Sequence, residues 1–497
     1  MKYDNFSQYF EWESFDYPLT TTNLAVKNNF YRIPTDSVVT IWRDDEYKLR
    51  GRIEGEINDK DAFEYIDPNR TLKDGHIIKG ETILAADHTG TVNYEISNCY
   101  INNTSFQFSR NNGKIVFQFN ASLNFNRFSE IYTEKEPSRV SDWYLTGKIN
   151  IVFPRGTTRS KEETHSKIRE IDKSDSTGVI LNKTHGSSRD FFLIKTGNIK
   201  CIVQLAPKHF LPKWGNGIAI EFRKDFEIPD EETREAIAEL VGFILGTQLL
   251  KIGTSEYDEE DRLIRKHAND PWGDNVIAKC DTSALSPIKF SKMKDWEKVE
   301  NVINQILPNY IKLRKTLSLS DVLWKYWIAR DLAIGTNLPI LSSALESLAE
   351  QYLSHNNIQK KFTKDEKKEY KKLIEQEVTS LEIKLKDFTL KDNVLNKLRN
   401  PFQLSIGDKL RIFFKSLSFN IDNKSIETQA LKSRNIMTHS TFGVSEESIP
   451  DAIRLTRGYE TLFHRTLLKI LSYNGTYIDY YSYGHVEREL SENIKDV

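Results

Sequence analysis

The spacing of apolar residues changes character once along the chain, near Pro229. Before that point, short runs of β-branched and aromatic residues alternate with turn signals. Residues 38–42 and 47–53 flank Asp44-Asp45, residues 191–194 and 200–205 flank Gly197-Asn198, and residues 114–119 follow Asn111-Asn112-Gly113. Residues 143–153 and 218–222 have the same composition. Such runs read as strands. Many short strands without an intervening helical stripe predict a sandwich or barrel-like β-rich domain over residues 1–225. Within it, the polar stretch from Arg155 to about Ser188 shows no apolar period and reads as a long loop.

After Pro229, apolar residues recur at every third or fourth position. Residues 230–250 form one predicted helix, with Asp230, Glu231 and Glu232 at its start, where the helix dipole favours negative charge. Up to Leu317 the chain mixes helix with loops at Pro271, Pro287 and Pro308, a helical connector over residues 226–317. Helical stripes then follow at 321–334, 338–355, 364–386, 406–417, 426–439 and 450–471. Leu341, Leu345, Leu348 and Tyr352 share one stripe, with Glu346 among them. These segments predict an all-α bundle over residues 318–485. An extended tail begins at Gly475-Thr476, and the C-terminal tail covers residues 486–497. The expected fold class is α+β multidomain.

A chain of 497 residues can bury two or three cores. Its 70 basic and 71 acidic side chains leave a net charge of −1, so any nucleic-acid contact must be a local patch. Cys99, Cys201 and Cys280 lie far apart without metal-ligand spacing, which fits a reduced cytoplasmic setting. The polar start Met1-Lys2-Tyr3-Asp4 does not read as a signal peptide, and none is expected. The most apolar run, 240–250, is too short to span a bilayer and reads as a buried helix.

No phosphate-binding glycine loop, GxSxG, HExxH or CxxC occurs, so neither metal nor cofactor is expected. Glu382-Ile383-Lys384 has the ending of a metal-dependent nuclease motif. It lies in a lysine-rich helical segment instead of a strand, and reads as a solvated face, with RNA contact by those lysines as the alternative. Trp12, Trp42 and Trp143 read as core packing, with a ligand groove as the alternative.

The remaining chemistry is Arg with His. An Arg followed by four to six residues and a His occurs five times: Arg70/His76, Arg159/His165, Arg262/His267, Arg434/His439 and Arg457/His464. The first three lie in polar or turn-like stretches and read as surface. Arg457/His464 lies inside the last long helix, where a partly exposed His is expected. Arg434-Asn435-Ile436-Met437-Thr438-His439 stands between two amphipathic segments. Arg can hold a phosphate in two-point contact, and His can move a proton near neutral pH. Positions 434 and 439 on one continuous helix are about 140° apart. A helix ending near Met437 would let a loop return His439 to Arg434. Alternatively, the pair caps a helix end.

Arg434, Asn435 and His439 match the motif of the HEPN superfamily, an Arg, then often Asn, Asp or His, then three to five residues and a His, and residues 318–485 resemble its helical bundle. The stretch Leu341-Ser342-Ser343-Ala344-Leu345-Glu346 resembles an early helix of that family bearing an acidic residue. A β-rich half joined to such a bundle is similar to ApeA-type abortive-infection proteins. The resemblance implies a metal-independent endoribonuclease in antiviral defence, gated by its N-terminal half and acting as a homodimer with a composite site. It further implies RNA as substrate, a phage-derived trigger and no membrane partner. Arg434, His439 and Asn435 would be catalytic, with Glu346 orienting Arg434 or else facing solvent at the stripe's edge. The alternative is a ligand-binding β domain on a non-catalytic, dimerising bundle.

Overall fold

The computed structural model describes residues 19–27, 33, 37–58, 80–111, 114–149, 153–155, 158–161, 164–172, 175–180, 191–205, 216–271, 276–290, 297–358, 363–389, 391–399, 405–422, 425–439 and 449–492. The chain divides into two compact units, Met1–Ser286 with Phe290–Gln305, and Pro287–Lys289 with Ile306–Val497. A large antiparallel sheet dominates the first and helices dominate the second, so the fold is α+β.

The described part of the first unit contains β1 (Leu19–Lys27), β2 (Val38–Arg43), β3 (Leu49–Asn58), β4 (Glu81–Ala86), β5 (Asn93–Asn111), β6 (Lys114–Asn124), β7 (Arg127–Ile131) and β8 (Arg139–Thr146). It continues with β9 (Thr158–Lys161), β10 (Thr164–Asp172), β11 (Asp175–Ile180), β12 (Phe191–Thr196), β13 (Ile199–Leu205) and β14 (Asn216–Arg223). Helix α1 (Glu231–Leu245), β15 (Leu250–Tyr257), β16 (Leu263–Asn269), α2 (Val276–Asp281) and α3 (Lys298–Arg314) follow. Among the described residues, thirteen strands pair in the order β12-β13-β14-β8-β15-β16-β7-β5-β4-β1-β2-β3-β6. An additional pairing of β5 with β6 closes the last six into a ring. The long β5 makes this possible, pairing with β4 and β7 through its first half and with β6 through its second. Val39, Ile41, Ile53, Ile83, Ile96, Ala121 and Leu123 are sealed from solvent and belong to one core cluster.

At the other end of the order, the outer N–H groups of β12 are all bonded. Phe191 N donates to the Arg155 carbonyl at 3.1 Å, Leu193 N to Glu300 Oε1 at 2.8 Å, and Lys195 N to Asn304 Oδ1 at 2.7 Å. Glu300 also holds the Arg155 guanidinium in two bonds of 2.8 and 3.0 Å.

Three expectations are corrected in this unit. The stretch expected as a loop after Arg155 contains β9, β10 and β11, a separate three-stranded antiparallel sheet. The helix expected over 230–250 stops at Leu245. Asp230 caps its start by accepting from Thr233 N at 2.8 Å. At its end Gly246 turns to φ 74°, where a Cβ would stand 2.1 Å from Ser286 N, so only glycine fits this left-handed cap. The chain then enters β15 and β16, which pair with β8 and β7, so the connector is not wholly helical. Outside this unit, Pro308, expected in a loop, lies inside α3, in the part of that helix that belongs to the second unit.

The second unit contains the end of α3, then α4 (Leu319–Asp331), α5 (Leu338–His355), α6 (Lys364–Lys384), α7 (Lys391–Arg399), α8 (Ile406–Ser416), α9 (Ile426–His439) and α10 (Ile449–Ile470). The short strands β17 (Thr476–Asp479) and β18 (Val486–Glu489) pair where an extended tail was expected. Helix α5 is central, packing against α4, α8, α9 and α10. Its Leu341, Leu345 and Leu348 are buried, each side chain contributing about 2 kcal/mol by leaving water. Helix α6 begins with a reciprocal capping box between Thr363 and Glu366, buries Val378 and packs on α7. Among the described residues, no helix is long and apolar enough to cross a membrane.

Candidate active site

Helix α9 is tied down at its beginning. Ser425 Oγ accepts from Thr428 N at 3.2 Å, capping the first turn. Glu427 pairs with Arg465 of α10, and the Ala430 carbonyl accepts from Tyr459 of α10 at 2.8 Å. Partner numbers fall on α10 as they rise on α9, so the two helices run antiparallel. The last turns of α9 therefore lie towards the first turns of α10.

Those last turns carry Arg434, Asn435 and His439. Their side chains lie outside the described part of the structure, but the backbone is helical through His439. The return loop after Met437 is therefore replaced by helix. Within one chain the helix sets positions 434 and 439 about 140° apart and about 7.5 Å along the axis. Positions 435 and 439, four apart, share a face, as do 434 and 438. Asn435 is thus the motif position aligned with His439.

Glu346 lies on α5, which packs against α9. It is half-buried and accepts from Ser342 Oγ, one turn earlier, at 3.0 Å. Ser342 thus holds one oxygen of the Glu346 carboxylate.

The other Arg/His pairs meet different fates. Residues 70 and 76 lie outside the described residues, and the side chains of residues 159 and 165 likewise. Arg262 is committed to Asp258 and Glu260 at 2.7 Å each. His267, expected at the surface, is half-buried on β16, with Nδ1 2.8 Å from Ser129 Oγ and Nε2 3.7 Å from Glu256.

His464 is the largest departure. Sequence reasoning expected partial exposure, but the side chain is sealed, 2.7 Å from the Tyr326 hydroxyl of α4. Burial pushes its pKa down to about 3, and the charges of Arg330 and Arg457 add to the shift. Arg457 pairs with Glu460 at 2.9 Å. Burial holds the Glu460 carboxyl above its ordinary range, against the pull of Arg457 and Arg330. The signal in the sequence was Leu467 and Leu468, three and four residues beyond His464 on the packed side of α10. A neutral, enclosed imidazole is a structural group, not a proton shuttle open to substrate.

The cysteines offer no nucleophile. All three are buried, and desolvation raises Cys99 to about 12, Cys280 to about 11 and Cys201 further. Trp143 is core, donating to Ser255 Oγ at 3.2 Å; Trp42 is half-buried, and Trp12 lies outside the described residues. Glu382 sits on α6 and pairs with Arg399 and Lys391, beside the exposed Ile383. Among the described residues, no three His, Cys, Asp or Glu converge as metal ligands would. Compared with known proteins, the chain matches no family model, no curated protein and no solved structure.

Proposed function

We propose that the chain is a metal-independent cytoplasmic endoribonuclease of the HEPN type, acting in antiviral abortive infection, with the β-rich unit as its sensor. The observation that carries this reading is the placement of Arg434-Asn435-(x)3-His439. It occupies the last turns of α9, directly before the long α10, in a helical unit whose central helix α5 carries the half-buried Glu346.

The chemistry is transesterification within RNA. The 2′-hydroxyl attacks the adjacent phosphorus, its proton is taken up, and the bond to the 5′-oxygen breaks as that oxygen gains a proton. His439 moves the proton. Arg434 holds the charge developing on the phosphoryl oxygens. Asn435 orients His439 or the phosphate, and Glu346 orients Arg434. The products are a 2′,3′-cyclic phosphate and a 5′-hydroxyl, and DNA is inert because it lacks the nucleophile. The divergence of positions 434 and 439 on a continuous helix supports a composite site built from two copies of the chain.

That same divergence also suits a non-catalytic bundle that only dimerises, with the β unit binding a ligand. One experiment separates the two readings. RNA ends are sequenced after induction of the wild type, Arg434→Ala and His439→Ala, alongside the melting temperature of each protein. Loss of cleavage in both variants at unchanged melting temperature supports the nuclease. Equal cleavage by all three, or by none under phage challenge, overturns it.

A further inference from the structure

We propose that Arg465 and Glu427 are positioning residues for the Arg434–His439 turn, and that the segment bearing β17 and β18 acts on that turn through them. The consequence for cleavage rests on the nuclease reading above; the consequence for the placement of α9 does not.

The two side chains are sealed from solvent and joined at 2.6 Å. Arg465 Nη1 donates to Glu427 Oε1, while Nη2 donates to the Glu492 carbonyl at 2.7 Å. The guanidinium also lies 4.4 Å from the ring centre of Phe419 and 5.6 Å from that of Tyr477. One cation of α10 therefore touches the first turn of α9, the residues after α8, and the C-terminal segment. That segment is seated on α10 in its own right: Tyr480 N and Tyr481 N both donate to Thr461 Oγ1, at 3.0 and 3.1 Å.

The helical register gives this contact its leverage. Residue 434 is seven beyond 427, about two full turns, so Glu427 and Arg434 occupy one stripe of α9 within about 20°. Apolar packing alone tolerates small rotations of a helix about its axis. A planar guanidinium with fixed donor directions does not. Whatever sets the azimuth of Glu427 sets that of the Arg434 stripe, and His439 follows at a fixed angle. Burial raises the Glu427 carboxyl pKa, against the pull of Arg465, so the carboxylate depends on its partner staying in place.

The test compares Glu427→Gln, Arg465→Lys and the double variant Glu427→Met/Arg465→Met in the full chain. Replacing both charges by apolar groups of similar length removes the directional bond without leaving a buried charge unpaired. The double variant should keep the wild-type melting temperature. In it and in Glu427→Gln, amide exchange should quicken by about tenfold in the last turns of α9, while α4 and α5 stay protected. Turnover on RNA should fall by about tenfold with KM little changed. Arg465→Lys, which keeps the charge but not the fork, should lie between. Wild-type exchange in α9 of the double variant overturns the proposal, whether or not RNA is cut. If wild type and Arg434→Ala cut RNA alike, the nuclease reading fails instead, and the exchange data still decide whether the pair positions α9.

Discussion

The Tyr326 hydroxyl and His464 Nε2 meet at 2.7 Å inside the helical unit, with neither side chain open to water. Tyr326 also stacks on Phe463 at 4.5 Å, so the pair is locked between α4 and α10. The imidazole is held neutral by its surroundings, and folding therefore becomes sensitive to acid. The unfolded chain takes a proton at His464 below its ordinary pKa of 6.5, which the folded chain declines down to about 3. The stability this group contributes is full above pH 6.5 and is lost progressively as pH falls towards 3. His464→Gln keeps an acceptor for Tyr326 and does not titrate. Urea unfolding at pH 7 and pH 5 should show the wild type losing about 2 kcal/mol more than the variant between the two. Equal losses would place the acid sensitivity elsewhere.

RNA cleavage by the proposed mechanism needs no metal, so activity should persist in excess EDTA and leave 2′,3′-cyclic ends. Activity lost on chelation and restored by magnesium would assign the protein to another nuclease class.

Fragments test the regulatory reading. A chain starting at Ser318 lacks residues 306–314. It thereby loses the buried Ile306, Leu307 and Tyr310, and the bond from Asn309 Nδ2 to the Leu471 carbonyl at 3.0 Å. It should melt about 10 °C or more below a fragment starting at Pro287. The longer fragment is the one to express. Toxicity without infection would mean that the β unit restrains the nuclease, and silence in a folded fragment that it activates. Behaviour identical to the full chain would remove the regulatory role.

What could be read from the sequence follows the strength of local signals. The range 338–355 coincides with α5 and 426–439 with α9, because leucines recur along α5 and Ser425 caps the first turn of α9. Strands β9 to β11 were illegible because polar residues occupy both of their faces, so no alternation betrays them. The apolar run 240–250 hid a helix end and a strand start, since Gly246 is inconspicuous until Ser286 is seen against it. Chemistry was harder. Arg434 and His439 stood out as a motif, whereas Glu427 and Arg465, 38 residues apart, carry no mark of being buried partners. Pairing across helices is a tertiary fact, and single-sequence periodicity does not contain it.

The bonded rim of β12 has a bearing on solubility. A ring of strands offers no template to a second chain, but a terminal strand reading Phe191-Phe192-Leu193-Ile194 does, if its N–H groups become available. Glu300 and Asn304 occupy those groups with side chains that cannot propagate a sheet. In Glu300→Ala/Asn304→Ala the strand should recruit its own kind. Light scattering should then rise with protein concentration well below the melting transition, while the wild type stays clear. Two polar side chains of one helix would thus separate a protein that remains dispersed from one that grows into fibres.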